Sequence, residues 1–124
     1  MILCDTNILI EFYKGNPDIV GELQRIGIAD LAVSVVTCGE LYFGAKDKSE
    51  LKRIHDHLSL IGQISLDADI SDRFLELLGE FALSHKLSVP DALIAATALS
   101  HDIPLYTLNL KDFQFIPELK IYRP

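Results

Sequence analysis

Met1-Ile-Leu-Cys-Asp-Thr-Asn-Ile-Leu-Ile10 sets one carboxylate, Asp5, where a short apolar strand gives way to an apolar helix. No glycine lies between the two segments to build a phosphate loop. In an open α/β sheet the carboxyl ends of the strands form the ligand-binding edge, so an acid delivered there by the first strand faces a site from the outset. An isolated carboxylate among Cys4, Ile8 and Leu9 also lacks an evident partner, and burying such a charge is costly. Three further acids, Glu40, Asp91 and Asp112, fall at similar strand-to-helix junctions along the chain.

Working outward from Asp5, residues 1–4 read as the first strand and Asn7–Tyr13 as a helix that stops at Gly15. Asn16-Pro17 supplies a cap followed by proline at the first helical position, and Ile19, Val20, Leu23 and Ile26 recur at helical spacing before Gly27. Leu31–Val36 is a β-branched run that predicts a second strand, with a helix over Thr37–Ala45 behind it carrying Leu41, Tyr42 and Ala45 on one stripe. Lys46–Ser59 reads as an amphipathic helix with Leu51, Ile54 and Leu58 inward.

Ile64–Leu66 is a short edge-strand candidate. Asp67 caps a long helix whose inner stripe is Ile70, Phe74, Leu77, Leu78 and Phe81. Ser88-Val-Pro-Asp91 has capping-box spacing and opens an alanine-rich helix, and Pro104–Thr107 and Leu119–Tyr122 supply the last strands. Strands separated by helices require right-handed crossovers. The expected fold is therefore α/β, a three-layer α/β/α arrangement around a mainly parallel sheet of four to five strands.

The chain has 124 residues, 49% hydrophobic and 23% charged, which suits one domain over residues 1–124 with a single core. Its longest apolar runs fall far short of the ~20 residues of a membrane span. With no basic segment ahead of the first apolar run, the expectation is a soluble cytoplasmic protein with no membrane partner. The two cysteines, Cys4 and Cys38, do not form a spaced disulfide or zinc framework and are expected as reduced, buried thiols. A formal net charge of −7 excludes a broad basic face that coats nucleic acid, but not a nuclease whose acids hold cations.

In the expected topology Asp5, Glu40, Asp91 and Asp112 reach one carboxyl edge. Bare carboxylates gathered there repel one another, and one or two Mg²⁺ or Mn²⁺ ions would offset that repulsion. Oxygen-only ligands favour hard cations over zinc. The chemistry that best uses such a site is phosphodiester hydrolysis by metal-activated water, which needs no amino-acid nucleophile. Thr6, Asn7, Ser34, Thr37 and Thr107 are candidates to orient ligands from behind. Lys46, Lys48, Lys52 and Arg53 form a basic segment able to guide RNA, or else a solvated helix face. The competing structural roles are plain: Asp91 completes a capping box, Glu40 sits on an exposed helix, and Asp112 caps a turn before Phe113.

Asp5-Thr6-Asn7 after an apolar strand, Ser34-x-x-Thr37-x-x-Glu40-Leu41, Asp91 opening an alanine-rich helix, and Thr107-x-Asn109-x-x-Asp112-Phe113 together resemble the PIN-domain ribonucleases. The compact length resembles the VapC toxins of prokaryotic toxin–antitoxin pairs. The resemblance implies a Mg²⁺- or Mn²⁺-dependent endoribonuclease, a homodimer, and a VapB-like antitoxin that occludes the site. Its RNA would be tRNA or another structured RNA. The resemblance carries the first three acidic positions onto Asp5, Glu40 and Asp91. For the fourth, Asp112 is the preferred acid and Asn109 an auxiliary ligand or orienting group.

Rival readings fail at identifiable residues. A dinucleotide enzyme lacks its glycine-rich turn after strand one, an aspartyl-phosphate phosphatase would find Asn7 in place of its second aspartate, and a receiver domain would carry an acid pair near the N-terminus. The remaining alternative is a noncatalytic PIN-like module that binds a protein through the same edge.

Overall fold

The computed structural model describes residues 1–124. Its elements run β1 (Ile2–Cys4), α1 (Thr6–Tyr13), α2 (Pro17–Ile26), β2 (Leu31–Ser34), α3 (Val35–Phe43), α4 (Lys48–Leu58), β3 (Gly62–Ile64), α5 (Ala68–His85), α6 (Val89–His101) and β4 (Leu105–Tyr106), with short 3-10 turns at Ile28–Asp30 and Leu110–Asp112. The sheet order is β3-β2-β1-β4. Every pairing is parallel, with Leu3 opposite Ala32 and Leu105. Chain order reverses direction between β1 and β4, so the crevice at their carboxyl ends is the topological switch point at which open α/β sheets bind ligands.

Alternation along each strand divides the core into two layers. Leu3, Ala32 and Leu105 join Ile70, Leu77, Phe81 and the small residues Ala92, Ala95 and Ala96 on the face covered by α5 and α6. Cys4, Leu31, Val33 and Tyr106 point the other way, onto Ile8, Leu9, Ile19, Leu23, Leu41, Ile54 and Leu58 of α1 to α4. Successive strand side chains face opposite sides, so a strand covered on both faces reads as an unbroken apolar run. The α/β/α expectation is met, and the alanines of α6 explain how that helix comes so close to α5 and the sheet.

The second strand is shorter than the β-branched run predicts. It ends at Ser34, and Val35 and Val36 begin α3 because the Ser34 hydroxyl accepts the Val36 N–H at 3.1 Å and caps the helix. A short buried apolar run does not distinguish strand from helix, and here the cap decides. The edge strand lies at Gly62–Ile64 rather than Ile64–Leu66, because its partner β2 ends at Ser34, opposite Ile64, and Asp67 beyond it caps α5 through the Ile70 N–H at 2.8 Å. The predicted Leu119–Tyr122 strand is reduced to one bridge between Leu105 and Ile121. Arg25 and Glu22 of α2 hold it there by gripping the Tyr122 hydroxyl. No helix is long and apolar enough to cross a membrane.

Candidate acidic active site

Asp5 is 4% exposed and caps α1 from the end of β1. Its Oδ1 accepts the Thr6 N–H at 2.8 Å, and its Oδ2 accepts the Thr107 hydroxyl, also at 2.8 Å. Thr107 directly follows β4, so the two strands that flank the switch point tie the carboxylate down from both sides. The Thr107 oxygen in turn accepts the Asn109 N–H at 3.0 Å, and the Leu108 N–H donates to Asn7 Oδ1 at 3.3 Å, which fixes the loop beyond β4 against the start of α1. Each Asp5 oxygen keeps lone-pair capacity beyond its one donor.

Glu40 reaches the same edge from the second turn of α3. Although exposed, its Oε1 accepts the Thr6 hydroxyl at 2.7 Å, and that hydroxyl oxygen lies 3.0 Å from the buried Thr37 hydroxyl. One hydroxyl has one proton, so the chain of donation runs Thr37 to Thr6 to Glu40. Ser34 serves as the α3 cap and makes no contact with the acids. Among the proposed orienting residues, Thr6, Asn7, Thr37 and Thr107 are thus drawn into the site and Ser34 supports it from beneath.

Asp91 is half-buried at the start of α6, where its N–H donates to Ser88 Oγ at 3.2 Å. Asp91 thus takes part in the Ser88 cap and also lies within the field of the other acids. Burial pushes its carboxyl up to about 6; the charges of Asp5, Asp112 and Glu40 push the same way, against the Ser88 hydroxyl. Burial also raises Asp5, opposed by the Thr107 and Thr6 hydrogen bonds and reinforced by Glu40 and Asp112. Asp112 lies exposed in the 3-10 turn after β4, yet its charge is felt at both buried acids. Asn109 contributes only backbone groups to this network, donating its N–H to Thr107 and accepting the Asp112 N–H at 3.0 Å. Beside them the Cys4 thiol, pushed up to about 12 by burial and by Asp5, is an inert core group.

None of the four acids has a Lys, Arg or His ion-pair partner. No three His, Cys, Asp or Glu side chains are packed together as a closed metal cage. The donor chemistry nevertheless fits a divalent cation: oxygen-only ligands, a raised pKa at Asp5 and Asp91, and a buried carboxylate with no cation to balance it. The acids sit within one another's field, arranged around a crevice rather than collapsed onto each other.

The PIN domain family model matches residues 2–116 of this geometry. The chain belongs to the PIN-domain family. Ribonuclease VapC19 of Mycobacterium tuberculosis is 31% identical over 124 residues, spanning 97% of this chain and 98% of that protein. The PIN fold here is similar to that in a toxin–antitoxin complex from Klebsiella pneumoniae, with a TM-score of 0.82 and 35% identity over 100% of both chains. It is equally similar to VapBC2 from Rickettsia felis bound to a DNA fragment from their promoter, at TM-score 0.83 and 28% identity over 98% of each chain.

Beside the PIN acids, the four cations of the basic segment part company. Lys46 and Arg53 line a groove of about 610 Å³ between α1, α3 and α4 that Glu40 shares. Lys48 and Lys52 line a separate shallow depression with Tyr42 and His55, and Lys52 is committed to Asp56 at 2.9 Å. The groove also contains Tyr13 and His57. The sequence signal for them is His57 itself, adjacent to the inward Leu58 on the helix that carries the basic segment.

Proposed function

We propose that the chain is a VapC-type endoribonuclease, the toxin of a toxin–antitoxin pair, hydrolysing RNA phosphodiester bonds with Mg²⁺ or Mn²⁺. The observation that carries this reading is Asp5: buried at the switch point, held through both oxygens, surrounded by Glu40, Asp91 and Asp112, and without a balancing cation. The kinship with a VapC ribonuclease supports the activity, and the toxin–antitoxin complexes support a VapB-like antitoxin as partner.

Asp5, Asp91, Glu40 and Asp112 would hold one or two ions. When bound, such an ion supplies Lewis-acid polarisation of the phosphate and hydroxide near neutral pH. The protein does the rest by placement. Thr107 and the Thr6 N–H stop Asp5 from rotating, and Thr6 keeps the otherwise mobile Glu40 side chain on the crevice, so that the oxygens are aligned before substrate arrives. Asp112 is the fourth acid on this reading, since its charge reaches the buried pair while Asn109 orders the loop. Structured RNA, tRNA included, is the substrate class, and a homodimer is the working form. Phe43 and Leu83, 94% and 98% exposed, are the apolar side chains that such an assembly would cover.

The deciding experiment compares cleavage of structured RNA by the purified chain in Mg²⁺ or Mn²⁺, in EDTA, and with Asp5→Asn. Cleavage is expected only for the wild type with metal. Equal cleavage by Asp5→Asn would remove the assignment and leave the protein-binding alternative.

A further inference from the structure

The sheet ends at β4, a strand of two residues that runs directly into Thr107, the residue whose hydroxyl fixes Asp5. On its inner side the β4 segment is bonded to β1: the Leu3 N–H donates to the Pro104 carbonyl and the Asp5 N–H to the Tyr106 carbonyl, both at 2.9 Å. On its outer side it meets the Leu119–Tyr122 strap. There the Leu105 N–H donates to the Lys120 carbonyl at 2.9 Å, and the Tyr122 N–H to the Leu105 carbonyl at 2.8 Å. So short a strand has few contacts of its own, and what pairs with its outer side decides how firmly it stays in place.

Tyr122 is what seats the strap. Its half-buried ring lies 5.1 Å from that of the buried Tyr106. Its hydroxyl donates to Glu22 Oε2 and accepts from Arg25 Nη2 at 2.6 Å. Glu22 and Arg25 also grip each other, at 2.9 and 2.7 Å, and the Glu22 side chain is only 13% exposed. Ile19 and Leu23 root their helix, α2, in the core layer formed by α1 to α4. Bonds to ionised partners are the stronger class, so this tie joins the outer edge of the sheet to a firmly seated helix. The second tie of the strap, Lys120 to Asp102 at 2.9 Å, joins two exposed side chains and contributes little.

We infer that Tyr122 is a positioning residue for the acidic site: seated on Glu22 and Arg25, it clamps β4 from outside and so holds the Thr107 hydroxyl against Asp5. The inference rests on the nuclease reading for its effect on rate, and on the hydrogen bonds alone for its effect on β4. With the strap seated, β4 is paired on both sides and Thr107 meets Asp5 Oδ2 at 2.8 Å. With the strap released, β4 is paired on one side, Thr107 moves with it, and Asp5 loses the donor that stops it rotating. Small misplacements of this kind reduce the rate of the reacting step rather than the binding of substrate.

Tyr122→Phe removes the hydroxyl and leaves both the ring on Tyr106 and the Glu22–Arg25 pair. Amide hydrogen exchange of the metal-free full chain, followed by NMR, should show the Leu105 and Asp5 N–H groups exchanging about tenfold faster, the equivalent of one hydrogen bond to a charged group, with Leu77 in the middle of α5 unchanged. Mn²⁺ affinity and the single-turnover rate at saturating RNA should each fall about tenfold, with the half-saturating RNA concentration unchanged. Glu22→Leu should reproduce these effects. Glu22→Gln, which keeps an acceptor for the Tyr122 hydroxyl, should restore most of the rate, and Lys120→Gln at the other tie should match the wild type. Exchange at Leu105 and Asp5 that rises only in step with Leu77 would make the hydroxyl a contributor to overall stability and overturn the inference. So would unaltered exchange, or faster exchange at Leu105 with Mn²⁺ affinity and rate intact. A wild type that cleaves no RNA overturns the nuclease reading instead, and the exchange of Leu105 and Asp5 then decides the clamp by itself.

Discussion

Thr6 shows how much of the site one small side chain controls. Its backbone N–H fixes Asp5 and its hydroxyl fixes Glu40, at 2.8 and 2.7 Å. Thr6→Ala keeps the first bond and removes the second, so Asp5 stays in place and Glu40 becomes a free, exposed side chain. The expected result is a fall in kcat of about tenfold, the lower end of what loss of a ligand-orienting partner costs, with KM for RNA unchanged. Thr6→Ser restores the hydroxyl and most of the rate; single-turnover kinetics on the three proteins decides it, and no rescue by serine would make Thr6 a packing residue. At this scale the sequence was most readable where chemistry was least comfortable. Asp5 stood out as an unpaired carboxylate among apolar neighbours, whereas Asn109 and Asp112 are both polar loop residues, and only the fold separates a residue that donates a backbone N–H from one whose charge reaches Asp5 and Asp91.

The elements were readable in proportion to how local their causes are. The N-cap and inner stripe of α5 are both within the segment, and Asp67 caps it as expected. The strand ends depend on neighbours instead: Leu119–Tyr122 stays a single bridge because its partner β4 is only two residues long, and it is held by backbone hydrogen bonds between Leu105 and both Lys120 and Tyr122 together with a distant contact with α2. The α6 start joins both kinds of cause. Ser88 caps the helix and thereby sets the height of Asp91 at the crevice. Ser88→Ala should cost about 1 kcal/mol in urea unfolding, and Ser88→Asn should recover most of it. Metal affinity, measured by Mn²⁺ titration, should fall with the alanine and return with asparagine, because the cap and the ligand belong to one helical turn; unaltered affinity in the alanine variant would separate the two roles.

For the molecule as a whole, the α/β/α architecture followed from strand–helix alternation. The meeting of the acids did not, because it depends on which strands are neighbours: β1 between β2 and β4 is what brings Asp5, Glu40 and Asp112 to one crevice. That convergence carries a cost that pH makes visible. Asp91 is raised from 3.8 to about 6 in the folded protein, and Asp5 is raised as well. A raised acid favours the fold while protonated, so its contribution is fully present below about pH 4 and is lost as pH climbs through about 6. The metal-free chain should therefore become less stable over that interval, on account of these acids.

A divalent cation binds the deprotonated carboxylates and reverses the loss, so its effect should grow with pH. Mn²⁺ at a hundredfold excess over its Kd would add about 2.7 kcal/mol, seen as a raised Tm near pH 7.5 and little change near pH 5. Asp91→Asn should flatten the metal-free pH dependence and blunt the response to Mn²⁺ together, since one carboxylate is responsible for both. A Tm increase of the same size at both pH values would mean that the ion binds elsewhere and that the four acids are not its ligands.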